Sequence, residues 1–257
     1  MSEPLQGTRI VVTRSEEQAE ALTELLCGLG AIPIVFPTIQ FVALAAPALG
    51  AAFQSMDSYD WLLLTSANAV RFFWQALQER GYDGALPAIA VSGSKTATTL
   101  DEVAGLQPDL IPDKFVASSL VAGLGSLEGK RVLLPRSRIG GKELVRLLEA
   151  GGAEVEDIAL YDTVMADPDP NAVGALRDGF DVVTFASPSG VRNFVQLMQR
   201  AGFALPLPAD CIVACVGPVT AEAAREQGMT VHVVAEPHTM EGLVQGLVAS
   251  YAERQAH

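Results

Sequence analysis

A chain of 257 residues with a formal net charge of −13, 49% hydrophobic and only 18% charged residues, has the composition of a folded globular protein and not of a disordered one. So large an acidic excess speaks against nucleic acid as a partner, because phosphate backbones need a basic face, yet a few arginines and helix N-termini can still hold an anionic ligand locally. The apolar runs are strand-length pieces such as WLLL at 61 and RVLL at 131, and MSEPLQGTR at the N-terminus lacks signal-peptide character, so a cytoplasmic protein without membrane contact is expected.

In chain order, RIVVT from Arg9 reads as a buried strand, Ser15 as a helix N-cap with Gln18 completing a capping box, and Ala19, Leu22, Leu25 and Leu26 as one helical face. Gly28 and Gly30 stop that helix, and IPIVF from Ile32 begins the next strand. Comparable strand-then-helix units start at Asp60, Ala88, Arg131, Asp181 and Cys211. The pairs Ser187-Pro188 and Gly217-Pro218 put proline at the first helical position, where its missing N–H costs nothing. This alternation predicts parallel α/β sheets. Residues 37–47 (PTIQFVALAAP) and 159–170 (ALYDTVMADPDP) interrupt it with extended runs that end in proline, and they are the expected interdomain connections. Cys27, Cys211 and Cys215 fall in apolar patterns and read as buried, reduced thiols; Cys211 and Cys215 stand about 13 Å apart along a strand, too far to share a metal.

The chain contains itself twice, at an offset of about 122 residues. RIVVTR at 9 matches RVLLPR at 131, Leu22, Leu25, Leu26, Gly30 and Ala31 fall on Leu144, Leu147, Leu148, Gly152 and Ala153, and DWLLLTSANAVRFF at 60 falls on DVVTFASPSGVRNF at 181. After a short insertion Gly93, Thr96 and Ala97 match Gly217, Thr220 and Ala221. Two similar domains follow, with a cleft between them as the expected ligand site. If the chain crosses at both interruptions, residues 39–166 form one domain, and 1–38 plus 167–257 the other. A tandem cut near residue 128 fits the spacing equally well.

Ligands of open parallel sheets bind beyond the carboxyl ends of the strands. Those positions hold Thr13-Arg14, Thr65-Ser66, Ser92-Gly93-Ser94, Arg136-Ser137, Ser187-Pro188-Ser189 and Gly217-Pro218. Histidine is missing from them: His232, His238 and His257 all lie late in the chain, and neither a Ser-His-Asp triad nor a metal cluster assembles. GSKT at 93 lacks the earlier glycine of a nucleotide-binding loop, and no G-x-G-x-x-G follows a strand. Helix capping alone would explain Ser15, Ser66 and Ser187, and an interdomain salt bridge would explain Arg14 and Arg136. The alternative for both arginines is an anion held at the sheet end.

VVTR at 11, LLTSANAVRFF at 63, VSGSKTA at 91, LLPR at 133, ALYDT at 159, FASPSGVRNF at 185 and VGPVTAEAAREQGM at 216 run in one order across nearly the whole chain. In that combination the sequence resembles the uroporphyrinogen-III synthase family. The resemblance implies two doubly wound, flavodoxin-like domains joined by a two-stranded connector, and it selects the interwoven cut. It also implies a cofactor-free and metal-free lyase that closes hydroxymethylbilane to uroporphyrinogen III, with loss of water and inversion of the last pyrrole ring. Tyr161 stands at the family's tyrosine position, either as hydrogen-bond donor to the departing hydroxyl or as a hinge residue. Arg14, Ser66, Thr96, Arg136, Ser187, Gly217 and Thr220 are the expected contacts for the substrate's eight carboxylates. A monomer that meets the preceding pathway enzyme only in passing is the expected assembly. A non-catalytic two-lobed binding or regulatory protein of the same fold is the rival reading.

Overall fold

The computed structural model describes residues 3–167, 169–208 and 210–255, so His257 lies outside the described residues. In chain order, β1 (Arg9–Val12) leads into α1 (Glu16–Cys27) and β2 (Ile32–Val35). There follow β3 (Ile39–Ala43), α2 (Pro47–Gln54), β4 (Trp61–Leu64), α3 (Ala67–Glu79), β5 (Ala88–Val91), α4 (Ser94–Ala104), α5 (Ala117–Gly123), β6 (Arg131–Ser137), α6 (Glu143–Ala150) and the long β7 (Glu154–Met165). After these come α7 (Pro170–Arg177), β8 (Val182–Phe185), α8 (Pro188–Arg200), β9 (Ile212–Cys215), α9 (Pro218–Glu226), β10 (Val233–Val234) and α10 (Met240–Gln255). Two compact units result: a discontinuous one, built from the chain up to Gln40 and again from Val164 onward, and an inserted one, Phe41–Thr163.

The sheet of the discontinuous unit has the order β10-β9-β8-β1-β2, with β1 parallel to both β2 and β8. Its strands are apolar on both faces, as a sheet covered by helices on each side requires. Ile10, Val12, Val182, Ile212 and Ala214 face one core with Leu22 and Leu26 of α1 and Leu243 and Leu247 of α10. The alternate residues Val11, Val183, Phe185, Val213 and Cys215 face the other, with Val191 and Phe194 of α8 and Ala221 and Ala224 of α9. There Phe194 sets its edge against Phe36 and Phe185, at centroid distances of 5.9 and 5.3 Å.

The inserted unit repeats the plan in the order β3-β7-β6-β4-β5. Leu62, Leu64 and Leu133 pack toward α2, α3 and α4, whereas Leu63, Val132 and Leu134 pack toward α5 and α6. The duplication extends to individual hydrogen bonds. Arg9 N–H donates to the Asp181 carboxylate (2.7 Å) and Arg131 N–H to that of Asp60 (2.9 Å). Gly7 N–H donates to Gly30 O and Gly129 N–H to Gly152 O, with Gly30 and Gly152 both in the left-handed region, at φ +83° and +92°.

Two local expectations are corrected. The capping box at α1 does not form: Ser15 precedes the helix but makes no side-chain cap, and the Gln18 side chain is taken by Arg14. Cys27 is exposed, because it ends α1 on the side away from Leu22 and Leu26, while Cys211 and Cys215 are buried as expected. Burial pushes the Cys215 thiol up to about 12, which makes it inert.

Candidate active site

In each unit the chain turns from one side of the sheet to the other between two adjacent parallel strands. In the discontinuous unit these are β1 and β8, and in the inserted unit β4 and β6. Helices leave such a pair on opposite faces, which opens a crevice at the carboxyl ends of the strands. Arg14 and Ser187 follow the first pair. Ser66 follows β4 of the second, and Arg136 stands at the end of β6.

In the inserted unit, Ser66 is the N-cap of α3 and accepts the Ala69 N–H at 3.0 Å. Its Oγ also lies 3.0 Å from the Tyr161 hydroxyl. Tyr161 reaches it because the β6–β7 register shifts between Arg136 and Ser137: Arg136 pairs with Ala159 and Ser137 with Tyr161. An irregularity of this kind re-aims a side chain at a strand end. The ring is 5% exposed, stacked on Phe72 at 5.0 Å and 13° and edge-on to Phe41 at 5.9 Å, so its hydroxyl has a defined direction. Thr96 is buried in the first turn of α4, its Oγ1 3.4 Å from Ser92 Oγ, which itself donates to Thr65 O. The N-cap of α4 is Gly93, so no side chain covers the first-turn amides. A methyl group there would come within 2.9 Å of the Phe115 ring.

Arg136 lies within β6, not beyond it, and is 8% exposed. Its Nε and Nη2 donate to the two Asp157 oxygens at 2.6 and 2.7 Å, and Nη1 donates to Gly141 O at 2.6 Å. The salt bridge considered for it exists, but inside one unit, to the neighbouring strand. The Asp157 hydrogen bonds raise the guanidinium pKa, and the charge is matched at home.

In the discontinuous unit, Thr13 and Thr184 bind backbone oxygens across β1 and β8, and Thr38 binds Thr13 O. These bonds fix the turn that carries Arg14. Arg14 differs from its counterpart: Nη2 donates to Gln18 Oε1 at 2.7 Å, Nη1 meets the Met240 Sδ at 3.4 Å, and Nε is buried with no partner among the described residues. Desolvation lowers its pKa. It is a half-buried cation with no carboxylate partner among the described residues. The adjacent Ser15 Oγ is likewise buried and unpartnered. Ser187 caps α8 through the Gly190 N–H at 3.1 Å, Gly217 is the extended N-cap of α9, and Thr220 is buried in the first turn of α9.

Sequence reasoning missed Asp157, Phe72 and Met240, and it assigned Gln18 to a cap. Only the duplication held a signal, since it marked Arg14 and Arg136 as equivalent while their environments are not. His238 Nδ1 lies 2.7 Å from Ala235 O, and His232 Nδ1 accepts the Val213 N–H. Among the described residues no group of three His, Cys, Asp or Glu is placed to hold a metal ion, and no helix is long and apolar enough to cross a membrane.

The family model described as uroporphyrinogen-III synthase HemD matches residues 20–245. A uroporphyrinogen-III synthase of Synechococcus elongatus is 34% identical over 254 residues, covering 94% of this chain and 95% of that protein. A porphyrin biosynthesis protein HemD of Ruminiclostridium josui is 32% identical over 96% of this chain, which spans about half (49%) of that protein's length. Among solved structures, uroporphyrinogen-III synthetase from Helicobacter pylori (TM-score 0.57, 15% identity, 95% of this chain and 99% of that one) shares the fold. So does a triple methionine mutant of the Thermus thermophilus synthase (TM-score 0.54, 23% identity, 96% and 100%). With the family model spanning most of the chain and a full-length relative at 34% identity, the chain belongs to the uroporphyrinogen-III synthase family, hydro-lyases of tetrapyrrole biosynthesis.

Proposed function

We propose that this chain closes hydroxymethylbilane to uroporphyrinogen III, using Arg14 to hold a substrate carboxylate and Tyr161 to assist loss of the hydroxyl. The observation that supports it most directly is the state of Arg14. A half-buried guanidinium with an unpartnered Nε, on a chain of net charge −13, is a desolvated charge with no counterion among the described residues. Burying a charge is costly unless it is paired, and an octacarboxylate supplies the partner.

The chemistry asks little of the protein beyond positioning. The electron pair of the pyrrole nitrogen expels the hydroxyl from the terminal methylene, and that hydroxyl leaves as water once it has gained a proton. Ser66 already accepts the Ala69 N–H, and by donating its own hydrogen to the Tyr161 oxygen it leaves the phenolic hydrogen free for the departing group. Inversion of the last ring follows from which pyrrole carbon is held against the electrophilic methylene, an orientation effect. Ser187, Gly217, Thr96 and Thr220 stand at helix N-termini that suit the remaining carboxylates. Arg136, already bound to Asp157, serves to fix the β6–β7 strand end beside Tyr161.

The test is the product isomer. Purified protein given hydroxymethylbilane, with chelator and without added nucleotide, is expected to yield the type III isomer after oxidation. Type I alone, at high protein concentration, overturns the reading.

A further inference from the structure

We infer that Gln18 and Met240 form a charge-neutral cradle that positions Arg14 while leaving its positive charge available to a substrate carboxylate. The inference rests on the functional reading above and adds two positioning residues to it. Arg14 has three nitrogen sites: Gln18 Oε1 takes one at 2.7 Å, the Met240 thioether takes another at 3.4 Å, and Nε has no partner among the described residues. Neither acceptor carries a charge. The acids of the first turn of α1, Glu16 and Glu17, are exposed, and neither forms an ion pair with Arg14.

The equivalent arginine shows the alternative. Arg136 is gripped by the Asp157 carboxylate with near-ideal bidentate geometry, and its charge is spent inside the fold. The two copies therefore treat equivalent arginines in opposite ways, one paired for structure and one oriented without being neutralised.

Helix physics makes glutamine at position 18 informative. It is the third residue of α1, where a glutamate is favoured by the positive end of the helix and could reach back in a capping box. Here the amide instead faces Arg14, so the residue follows the needs of the arginine over those of the helix. A glutamate there would place a carboxylate on the guanidinium, compete with the substrate and at the same time strengthen the helix.

Gln18→Glu, which changes the side chain by little more than one atom, separates these effects. The expected result is an unchanged or raised melting temperature together with a KM raised by about tenfold, kcat within about twofold of the parent, and a weaker salt dependence of KM than in the parent. Gln18→Leu should raise KM by only about threefold, with salt dependence retained, because the cradle is lost but the charge remains. Titration with uroporphyrin, an octacarboxylate, followed by fluorescence, reads the same site without turnover and is expected to show about tenfold weaker binding for Gln18→Glu. A Gln18→Glu protein with parental KM and parental uroporphyrin affinity overturns the cradle. If Gln18→Glu does not fold, unchanged KM and affinity in Gln18→Leu overturn it equally. Production of type I alone by the parent would instead overturn the functional reading, and the uroporphyrin titration still decides the role of Gln18.

Discussion

Tyr161 joins packing to the chemistry proposed for it. Its ring is held between Phe72 and Phe41, while the hydroxyl emerges at Ser66. Tyr161→Phe keeps the ring contacts, so the melting temperature should stay within a few degrees of the parent while kcat falls, by up to about one-hundredfold for a lost proton donor. Ser66→Ala should behave differently. It removes the N-cap of α3, which costs about 1 kcal/mol of stability, and it also frees the phenol to rotate. Differential scanning calorimetry and steady-state kinetics on the same preparations separate the two. Unchanged turnover in Tyr161→Phe would leave the tyrosine a hinge residue.

At the scale of elements, the duplicated helix ends explain why the two copies keep their glycines. Gly30 and Gly152 turn the chain from α1 into β2 and from α6 into β7 at positive φ, and each accepts a hydrogen bond from the glycine two residues before the preceding strand, Gly7 before β1 and Gly129 before β6. An alanine at 152 meets strain from the left-handed backbone and collides with Glu128 besides. Gly152→Ala is therefore expected to lose roughly 1–3 kcal/mol in urea unfolding while the molecules that remain folded keep parental kcat, because the turn lies at the end of the sheet away from Tyr161. A neutral effect on stability would show that the loop relaxes around the new methyl group.

For the whole molecule the governing quantity is charge. A protein of net charge −13 repels an octa-anion at long range, and local cations must overcome this, so binding should weaken as added salt screens those contacts. Arg14→Met and Arg136→Met are expected to part company. The first should raise KM with little change in melting temperature, because it removes an unpaired charge. The second should lose on the order of 2 kcal/mol of stability by stranding Asp157, whose side chain is 34% exposed, with a smaller effect on KM. Thermal unfolding and kinetics across a salt series check both. Equal KM effects in the two variants would mean that the bond to Asp157 yields to substrate.

What the amino-acid order determined by itself was the alternation of buried strands and amphipathic helices, the duplication, and the residues that end each strand. These are local properties: side-chain period, proline at a first helical turn and glycine at a helix stop are legible within a dozen residues. Tertiary structure alone decided that Arg136 meets Asp157, that a register shift brings Tyr161 to Ser66, and that Gln18 serves Arg14 in place of its own helix. Each depends on strand register or on a helix far along the chain, as with Met240, which lies 226 residues beyond Arg14. The pattern could name the polar residues at the ends of the sheets, but whether a charge there is paired or left open is a matter of which strands and helices become neighbours.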